Sequence, residues 1–271
     1  MLSQQQRKEC IMDKTLFAEV EIKETILSTG VRIGLPVRYY DWSWMNAIFP
    51  APAAKVQLLL PSKKLKPLLL MPGTAMVALT AMEYRQLADV GPYNEFSIGV
   101  LVQCEPTINV PGLPLLFNPL LSPRWYENFG VYIHHLPVTT KEAYDFGVEI
   151  WGYPKFVAEI SFEDIDQIHR CRLRAEGKDI VTLEVKKLAT KARRISLYSY
   201  TVKNGQLLKT PIQTQGEYGI AKFPGGASYI LGDHPIAEEL KTLGMGKNAV
   251  GRFYAPQVQS LLHAASTRLA L

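Results

Sequence analysis

The sequence predicts an α+β domain built on an antiparallel β-rich cone or barrel with a few peripheral helices. Three observations support this fold class. Alternating or β-branched runs follow one another through the second half of the chain, short turns connect several of them, and few segments have helical periodicity. Short turns join antiparallel strands, because parallel strands need a longer crossover. Periodicity alone does not distinguish such a cone from a lipocalin-like barrel.

Six strands are predicted from position 96 onwards. They cover Phe96–Cys104, Val131–Val138, Val157–Phe162, Ile168–Ala175, Ile180–Lys187 and Ile195–Val202. Two turns fit this pattern, Glu176-Gly177 between two alternating runs and Asn204-Gly205 directly after another. An Asn-Gly pair is a strong signal for a two-residue hairpin, so the second half is predicted to form an antiparallel meander.

Four helices are predicted. A capping box at Thr139-x-x-Glu142 precedes a short helix near Ala143 to Phe146, and Asp233 with Pro235 opens a second helix that ends before Gly244. The other two are Pro256–Ala265, with apolar residues on one side, and Tyr40–Phe49, ended by Pro50.

The composition is that of an ordinary globular protein. Of 271 residues 47% are hydrophobic and 20% are charged, which provides enough apolar material for a large core. We expect one domain over residues 1–271, with residues 1–20 as a more loosely packed N-terminal extension. The longest apolar stretch, residues 67–82, contains Pro72 and Gly73 and is shorter than the ~20 residues of a membrane span, so no membrane helix is expected.

Cysteine usage and the N-terminus predict a cytoplasmic location. Cys10, Cys104 and Cys171 are odd in number and widely separated, which favours a reducing compartment over a disulfide framework. The first ten residues lack the apolar core of a signal peptide.

The charge pattern gives no sign of a nucleic-acid partner. The net charge is only +5, and the two lysine- and arginine-rich clusters, at residues 63–66 and 186–194, are interpreted as solvated strand edges and turns. No recognition element for nucleic acid accompanies them.

No metal site is expected either. The five histidines lack metal-ligand spacing, and the adjacent His134 and His135 would face opposite sides of a strand. Trp42, Trp44, Trp125 and Trp151 are interpreted as core residues.

The most informative segment is Gly147-Val-Glu-Ile-Trp-Gly-Tyr-Pro-Lys155-Phe-Val-Ala, where a lysine follows a proline among aromatic neighbours. In water a lysine amine is protonated at pH 7, and apolar surroundings favour its neutral, nucleophilic form. A neutral amine attacks ketones to form Schiff bases. Strand alternation alone, however, would place Lys155, Val157 and Glu159 on one solvated face.

Three segments in order resemble the acetoacetate decarboxylase family. The first is Pro92-Tyr-Asn-Glu95-Phe-Ser-Ile-Gly-Val, the second is Gly147-x-Glu149-x-x-Gly-Tyr-Pro-Lys155, and the third is Gly225-Gly-Ala-Ser-Tyr-Ile-Leu-Gly-Asp-His-Pro. A weaker match extends from Tyr40-Asp41 to Pro50-Ala-Pro52.

This resemblance implies a β-cone whose interior holds the active site, and it implies roles for particular residues. Lys155 is the expected Schiff-base nucleophile and Glu95 the expected catalytic carboxylate that relays protons. Arg32, or Arg38 if the alignment slips, would bind the carboxylate of a keto-acid substrate. Phe156 and Trp151 are expected to contribute apolar contacts to amine and substrate. The resemblance also implies a homo-oligomer and chemistry that needs no metal or organic cofactor.

Two departures from the family pattern leave the reaction open. Phe156 stands where the family usually has a second lysine, and the run Val77–Met82 carries no carboxylate where the family has a further acidic residue. The first hypothesis is decarboxylation of acetoacetate or a related β-keto acid. The second is a Schiff-base aldol or dehydration reaction on a larger keto acid. The third is a barrel that binds a small apolar ligand without chemistry.

Overall fold

The computed structural model describes residues 16–18, 20–105, 128–222 and 224–271. The strands are β1 (Lys23–Ile26), β2 (Arg32–Leu35), β3 (Val37–Pro52), β4 (Leu65–Pro67), β5 (Leu69–Met71), β6 (Thr74–Leu87), β7 (Tyr93–Cys104), β8 (Phe129–His135), β9 (Glu159–Ile165), β10 (Ile168–Ala175), β11 (Lys178–Lys186), β12 (Lys191–Lys203), β13 (Gln206–Ala221), β14 (Ala227–Leu231), β15 (Gly251–Leu262) and β16 (Thr267–Ala270). The helices are α1 (Ala53–Gln57), α2 (Lys141–Trp151) and α3 (Pro235–Leu243).

Seven strands close into a barrel in the order β7-β8-β12-β13-β15-β3-β6, with β6 pairing back to β7. Neighbouring strands are antiparallel except β8 and β12, which are parallel. The chain between those two strands is long enough for the crossover that a parallel pair requires, and it contains α2 and the strands β9–β11. The predicted β-rich barrel with peripheral helices is confirmed.

A second sheet, in the order β14-β11-β10-β9, packs against the outside of the barrel. Outward side chains of β3, such as Met45 and Phe49, join Leu173 and Leu183 of this sheet in the largest apolar core. The alternate β3 side chains, including Trp44, face the interior of the barrel instead. The barrel wall is therefore buried on both faces where the second sheet covers it.

Both predicted turns form tight hairpins. Asn204 and Gly205 have φ of 50° and 70° between β12 and β13, and Glu176 and Gly177 have φ of 52° and 75° between β10 and β11. Positive φ at both central residues matches the twist of the flanking strands.

Two predicted helices exist, with shifted caps. Helix α2 is capped by Thr140, whose side chain accepts from the backbone N of Ala143, while the Thr139 hydroxyl accepts from the backbone N of Asn94. Helix α3 has Pro235 in its first turn and Gly244 in the left-handed conformation after its end, but its N-cap is His234 rather than Asp233.

The other two predicted helices are wrong. Tyr40–Phe49 lies within β3, and Pro256–Leu262 belongs to β15. Both segments are buried on their two faces over much of their length, so they lack the polar and apolar alternation that marks a strand in a sequence.

Several expectations fall on residues outside the described ranges, namely Cys10, Trp125 and the start of the N-terminal extension. Cys104 and Cys171 are buried free thiols. No helix in the described ranges is both long and apolar enough to cross a membrane.

Candidate active site

The interior of the barrel contains a cavity of about 140 Å³. All seven barrel strands contribute side chains to its wall, and α2 and the segment that follows it complete the lining. Much of the wall is aromatic, with Tyr39, Trp42, Trp44, Tyr84, Phe146 and Tyr153. A largely apolar cavity with a few convergent polar groups is the usual form of a small-molecule site.

The end of α2 directs the lysine segment towards this cavity. Gly152 adopts φ of 63° and ends the helix, and a Cβ there would lie 2.7 Å from the carbonyl oxygen of Val202. Only glycine fits both constraints. The chain then reverses, and the backbone N of Tyr153 donates to the Gly147 carbonyl at 3.2 Å. Lys155 consequently returns alongside the helix that precedes it.

The Lys155 side chain is buried, with 2% of its surface exposed. Its Nζ donates to Glu95 Oε2 at 2.8 Å and to the carbonyl oxygen of Ala143 at 3.1 Å. Three aromatic rings surround the same nitrogen, with centroids 5.0 Å away for Phe146, 5.5 Å for Tyr93 and 5.9 Å for Tyr153. The solvated face that strand alternation predicted for Lys155 is wrong, since Val157 is half exposed and Lys155 is not.

Gly147 provides the space for this lysine. A Cβ at position 147 would lie 2.4 Å from Cε, 2.7 Å from Cδ and 2.8 Å from Nζ of Lys155. Real Cβ contacts do not come that close, so any side chain at position 147 would displace the lysine.

Glu95 is the third residue of β7, opposite Met82 of β6, rather than a loop residue before a strand. Its side chain is 9% exposed. While Oε2 accepts from Lys155, Oε1 accepts from the Tyr84 hydroxyl at 3.4 Å. The two residues predicted to be catalytic thus lie in direct contact inside the cavity.

Four buried tyrosines surround this pair: Tyr39, Tyr84, Tyr93 and Tyr153. Burial, together with the nearby charge of Glu95, raises the pKa of each phenol above its ordinary value. The hydroxyls therefore remain neutral donors and acceptors around the pair. Alternation along β6 and β7 places Tyr84 and Tyr93 on the side of Glu95, so strand periodicity in the sequence is a signal that identifies both tyrosines.

This arrangement allows proton transfer between an amine and a carboxyl group in dry surroundings. The 2.8 Å contact between Nζ and Oε2 is within the distance at which a general base takes a proton from a neighbouring group. Transfer of that proton leaves a free amine beside a carboxylic acid.

Neither candidate arginine lines the cavity. Arg32 lies on the β1–β2 hairpin with 68% of its side chain exposed and pairs with Glu24 at 2.8 Å. Arg38 precedes the cavity-lining Tyr39 on β3 and is not among the lining residues. The predicted role of Arg32 in carboxylate binding therefore has no geometric basis. Among described lining residues, Lys155 and Glu95 are the charged ones.

Phe156 and Trp151 also lie outside the cavity wall. Phe156 packs against the core between the barrel and the second sheet, because it points away from Lys155 along an extended segment. Trp151 is fully buried, and its Nε1 donates to the carbonyl oxygen of His263 at 2.7 Å. Its ring contacts Phe146 and Tyr153, so Trp151 supports lining residues rather than the substrate.

The remaining motif positions have structural explanations. Glu149 accepts from the backbone N and hydroxyl of Ser28, at 2.8 and 2.7 Å, and fastens the loop after β1 to α2. Thr80 and Met82, from the apolar run that lacks a carboxylate, line the cavity. Three residues with hydroxyl side chains, Ser199 of β12, Thr214 of β13 and Ser260 of β15, also line the cavity.

Comparisons with known proteins agree with this geometry. The family model described as "Acetoacetate decarboxylase (ADC)" matches residues 27–265. A search among curated proteins finds no significant sequence match.

Solved structures share the fold at low sequence identity. The acetoacetate decarboxylase from Legionella pneumophila subsp. pneumophila str. Philadelphia 1 is 14% identical with a TM-score of 0.58, over 96% of this chain and 95% of that one. A second acetoacetate decarboxylase structure is 14% identical with a TM-score of 0.56, over 87% and 89%. The enduracididine biosynthesis enzyme MppR, complexed with the condensation product of pyruvate and imidazole 4-carboxaldehyde, is 10% identical with a TM-score of 0.55, over 86% and 91%.

The family model spans most of the chain, its match includes all three segments that resemble the family, and the barrel is shared with these structures. The chain belongs to the acetoacetate decarboxylase family.

Proposed function

We propose that this protein is a lyase that decarboxylates acetoacetate or a related β-keto acid through a Schiff base on Lys155. The observation that carries the proposal is the buried contact of 2.8 Å between Lys155 Nζ and Glu95 inside an apolar cavity. Membership of the family supports the class of enzyme, and the geometry of this pair supports the roles of the two residues.

The reaction begins with the proton shared by the pair. Glu95 takes the proton from the ammonium, and the free amine of Lys155 adds to the ketone carbon of the substrate, forming a carbon–nitrogen bond. Glu95 returns its proton to the resulting hydroxyl, which leaves as water and gives an iminium. A single carboxyl group in contact with Nζ serves both proton transfers.

The apolar wall then favours loss of carbon dioxide. The bond between the carboxylate and the neighbouring carbon breaks, and its electron pair moves into the iminium to give a neutral enamine. No guanidinium is present among the described lining residues, so a substrate carboxylate has the iminium as its main counter-charge. Decarboxylation removes both charges from a low-dielectric site, which lowers the free energy of the products relative to the iminium carboxylate.

Glu95, reprotonated from solvent, gives a proton to the enamine carbon and forms a second iminium. Water adds to this iminium, and its hydrolysis releases the ketone and restores the Lys155 amine. Each turnover takes up one proton from solvent, and no step oxidises or reduces the substrate.

One observation favours a second candidate, a Schiff-base aldol or dehydration reaction on a larger keto acid. Ser199 and Ser260 place hydroxyls on the cavity wall, and the Ser199 hydroxyl lies 2.7 Å from that of Tyr153, so these groups offer polar contacts to a second reactant. The similar MppR structure contains a condensation product of pyruvate with an aldehyde. In that reaction an enamine formed on Lys155 would attack the aldehyde.

Two assays on the same preparation separate these candidates. Carbon dioxide release from acetoacetate measures the first reaction, and aldehyde consumption in the presence of pyruvate measures the second. We expect acetoacetate to release carbon dioxide, Lys155→Gln to abolish it, and Lys141→Gln, which changes an exposed lysine paired with Asp145 on α2, to retain it. If acetoacetate is inert and pyruvate condenses with the aldehyde, the second candidate replaces the first. Inactivity in both assays over a keto-acid panel favours a ligand-binding barrel.

A further inference from the structure

Two adjacent histidines and a glutamate meet outside the catalytic cavity. His134 Nε2 lies 2.6 Å from Glu239 Oε1, and His135 Nε2 lies 2.8 Å from Glu239 Oε2. The two imidazole rings are 4.3 Å apart between centroids. None of the three residues lines the cavity, so the proposed reaction leaves this cluster unexplained.

A β-bulge brings the two histidines together. Gly99 of β7 pairs with Ile133 of β8, and the preceding Ile98 pairs with His135, so His134 is an extra residue in β8. Neighbouring residues of a regular strand point to opposite faces, whereas the two residues of a bulge can project to similar sides. The expectation that His134 and His135 face opposite sides is therefore wrong. Helix α3 supplies Glu239 from its second turn.

We propose that His134, His135 and Glu239 form a binding site for a divalent transition-metal ion, with Zn²⁺ as the best match. One ligand atom from each residue lies within 4.8 Å of the others. Two imidazole nitrogens and one carboxylate oxygen are a common protein ligand set for Zn²⁺, with water in the fourth position. The ion would join the barrel strand β8 to α3, which packs on the second sheet.

Access and chemistry suit this ligand set. The side chains of His134, His135 and Glu239 are 17%, 22% and 34% exposed, so an ion from solvent can reach them. Binding requires each neutral imidazole to carry its proton on Nδ1, which frees the Nε2 lone pair for the metal. The ion then replaces the two hydrogen bonds to Glu239 and its charge is partly neutralised by the carboxylate.

His234 does not complete the site. Its Nδ1 accepts a hydrogen bond from the backbone N of Ile236 at the start of α3, so its proton is held on Nε2. Among the residues that the structure describes, the three-residue group is the one whose ligand atoms converge in this way. Water is therefore the expected fourth ligand.

The competing explanation is a hydrogen-bonded clamp that never holds an ion. Such a clamp would also stabilise the contact between β8 and α3, and loss of Glu239 would weaken it. Stability alone cannot separate the two explanations, so the test needs a signal from the metal itself.

The full-length protein, dialysed against a chelator, is titrated with Co²⁺ and, separately, with Zn²⁺. We expect one ion per chain, a visible Co²⁺ absorption of the intensity typical of four-coordinate sites, and a higher thermal midpoint with Zn²⁺. His135→Gln and Glu239→Gln should each weaken binding at least tenfold. The matched controls are Glu238→Gln, which changes the neighbouring acid paired with Lys241, and His169→Gln, which changes a histidine paired with Asp164; both should bind as the wild type does.

Three results would overturn the proposal. The first is no Co²⁺ signal in the wild type. The second is equal affinity in the wild type and in Glu239→Gln. The third is a decrease in thermal midpoint, relative to the wild type, that is the same with and without added Zn²⁺ in both His134→Gln and Glu239→Gln. Such a result would show that the three residues stabilise the protein through their hydrogen bonds alone.

Discussion

A methyl group on Gly147 would occupy the space through which the Lys155 side chain runs, 2.4 Å from its Cε. The two residues lie on either side of the reversal after α2, and the missing side chain of one admits the amine of the other to Glu95. The glycine in the middle of this helix is therefore explained by the site rather than by the helix.

Gly147→Ala should lower kcat about 100-fold, the loss that a misplacement of ~1 Å can cause in a reacting group. Alanine favours a helix over glycine by up to about 1 kcal/mol, which offsets part of the stability lost when Lys155 moves from Glu95. The rate is therefore measured below the thermal midpoint of the variant. Gly91→Ala is the control, since a Cβ there meets nothing within 4 Å. Unchanged kcat in Gly147→Ala would show that Lys155 does not need this position.

Glu95→Gln should slow the reaction about 10²- to 10⁴-fold, because the variant can neither accept the proton of Lys155 nor return one to the carbinolamine. The shape of the side chain is kept, so substrate affinity should change little. Glu83→Gln, on the neighbouring strand and paired with Arg85, serves as the control. Equal rates for the two variants would remove Glu95 from the mechanism.

Phe146→Ser should slow the reaction more than Phe156→Ser does. The Phe146 ring lies 5.0 Å from Nζ, and its loss admits water to the cavity beside the amine. Water in the site weakens the electrostatic interactions on which the reaction depends. The measurement is kcat with acetoacetate at one fixed pH.

The comparison for that experiment is Phe156→Ser. Phe156 packs in the other core and does not line the cavity, so its replacement should change kcat little. Both variants lose core packing, and kcat is measured below their thermal midpoints. A larger loss of kcat for Phe156→Ser than for Phe146→Ser would contradict the structure.

The buried tyrosines predict a loss of stability at alkaline pH. Burial raises the pKa of Tyr39 in the folded protein, whereas a tyrosine in the unfolded chain titrates near 10. Above pH 10 the unfolded chain therefore loses a proton that the folded protein retains. The free energy of unfolding should fall by about 1.4 kcal/mol per pH unit for each such tyrosine.

Tyr39→Phe should make this fall less steep by the contribution of one tyrosine. Denaturant unfolding of both proteins between pH 9 and 11 provides the measurement. Identical slopes, or a stability that is flat above pH 10, would mean that the Tyr39 hydroxyl ionises as easily in the folded state as in the unfolded chain.

The sequence predicted the second half of the fold better than the first. Strands β10 to β12 alternate and are bounded by turns such as Asn204-Gly205 that act locally. The segment Tyr40–Phe49 of β3 does not show strand alternation in its sequence, because Trp44 faces the cavity, Met45 faces the core, and both environments are largely apolar. Burial on both faces depends on the rest of the molecule.

In the candidate site, too, the contacts that matter join residues that are far apart in the sequence or depend on pairing with another strand. Lys155 and Glu95 are 60 residues apart, and the family resemblance rather than periodicity predicts both as site residues. The same resemblance predicts a carboxylate-binding role for Arg32, which lies on an exposed hairpin. The contact between His134 and His135 depends on a bulge that pairing with β7 creates, so alternation within β8 could not predict it.

The central claim is that Lys155 attacks the substrate carbonyl, and borohydride trapping tests it most directly. The protein is incubated with acetoacetate and sodium borohydride, and the mass of each lysine peptide is measured. We expect a reduced adduct on the peptide that contains Lys155, absent from Lys155→Gln and diminished in Gly147→Ala. Unmodified Lys155 in an enzyme that is turning over acetoacetate, or an adduct confined to another lysine, would contradict the account.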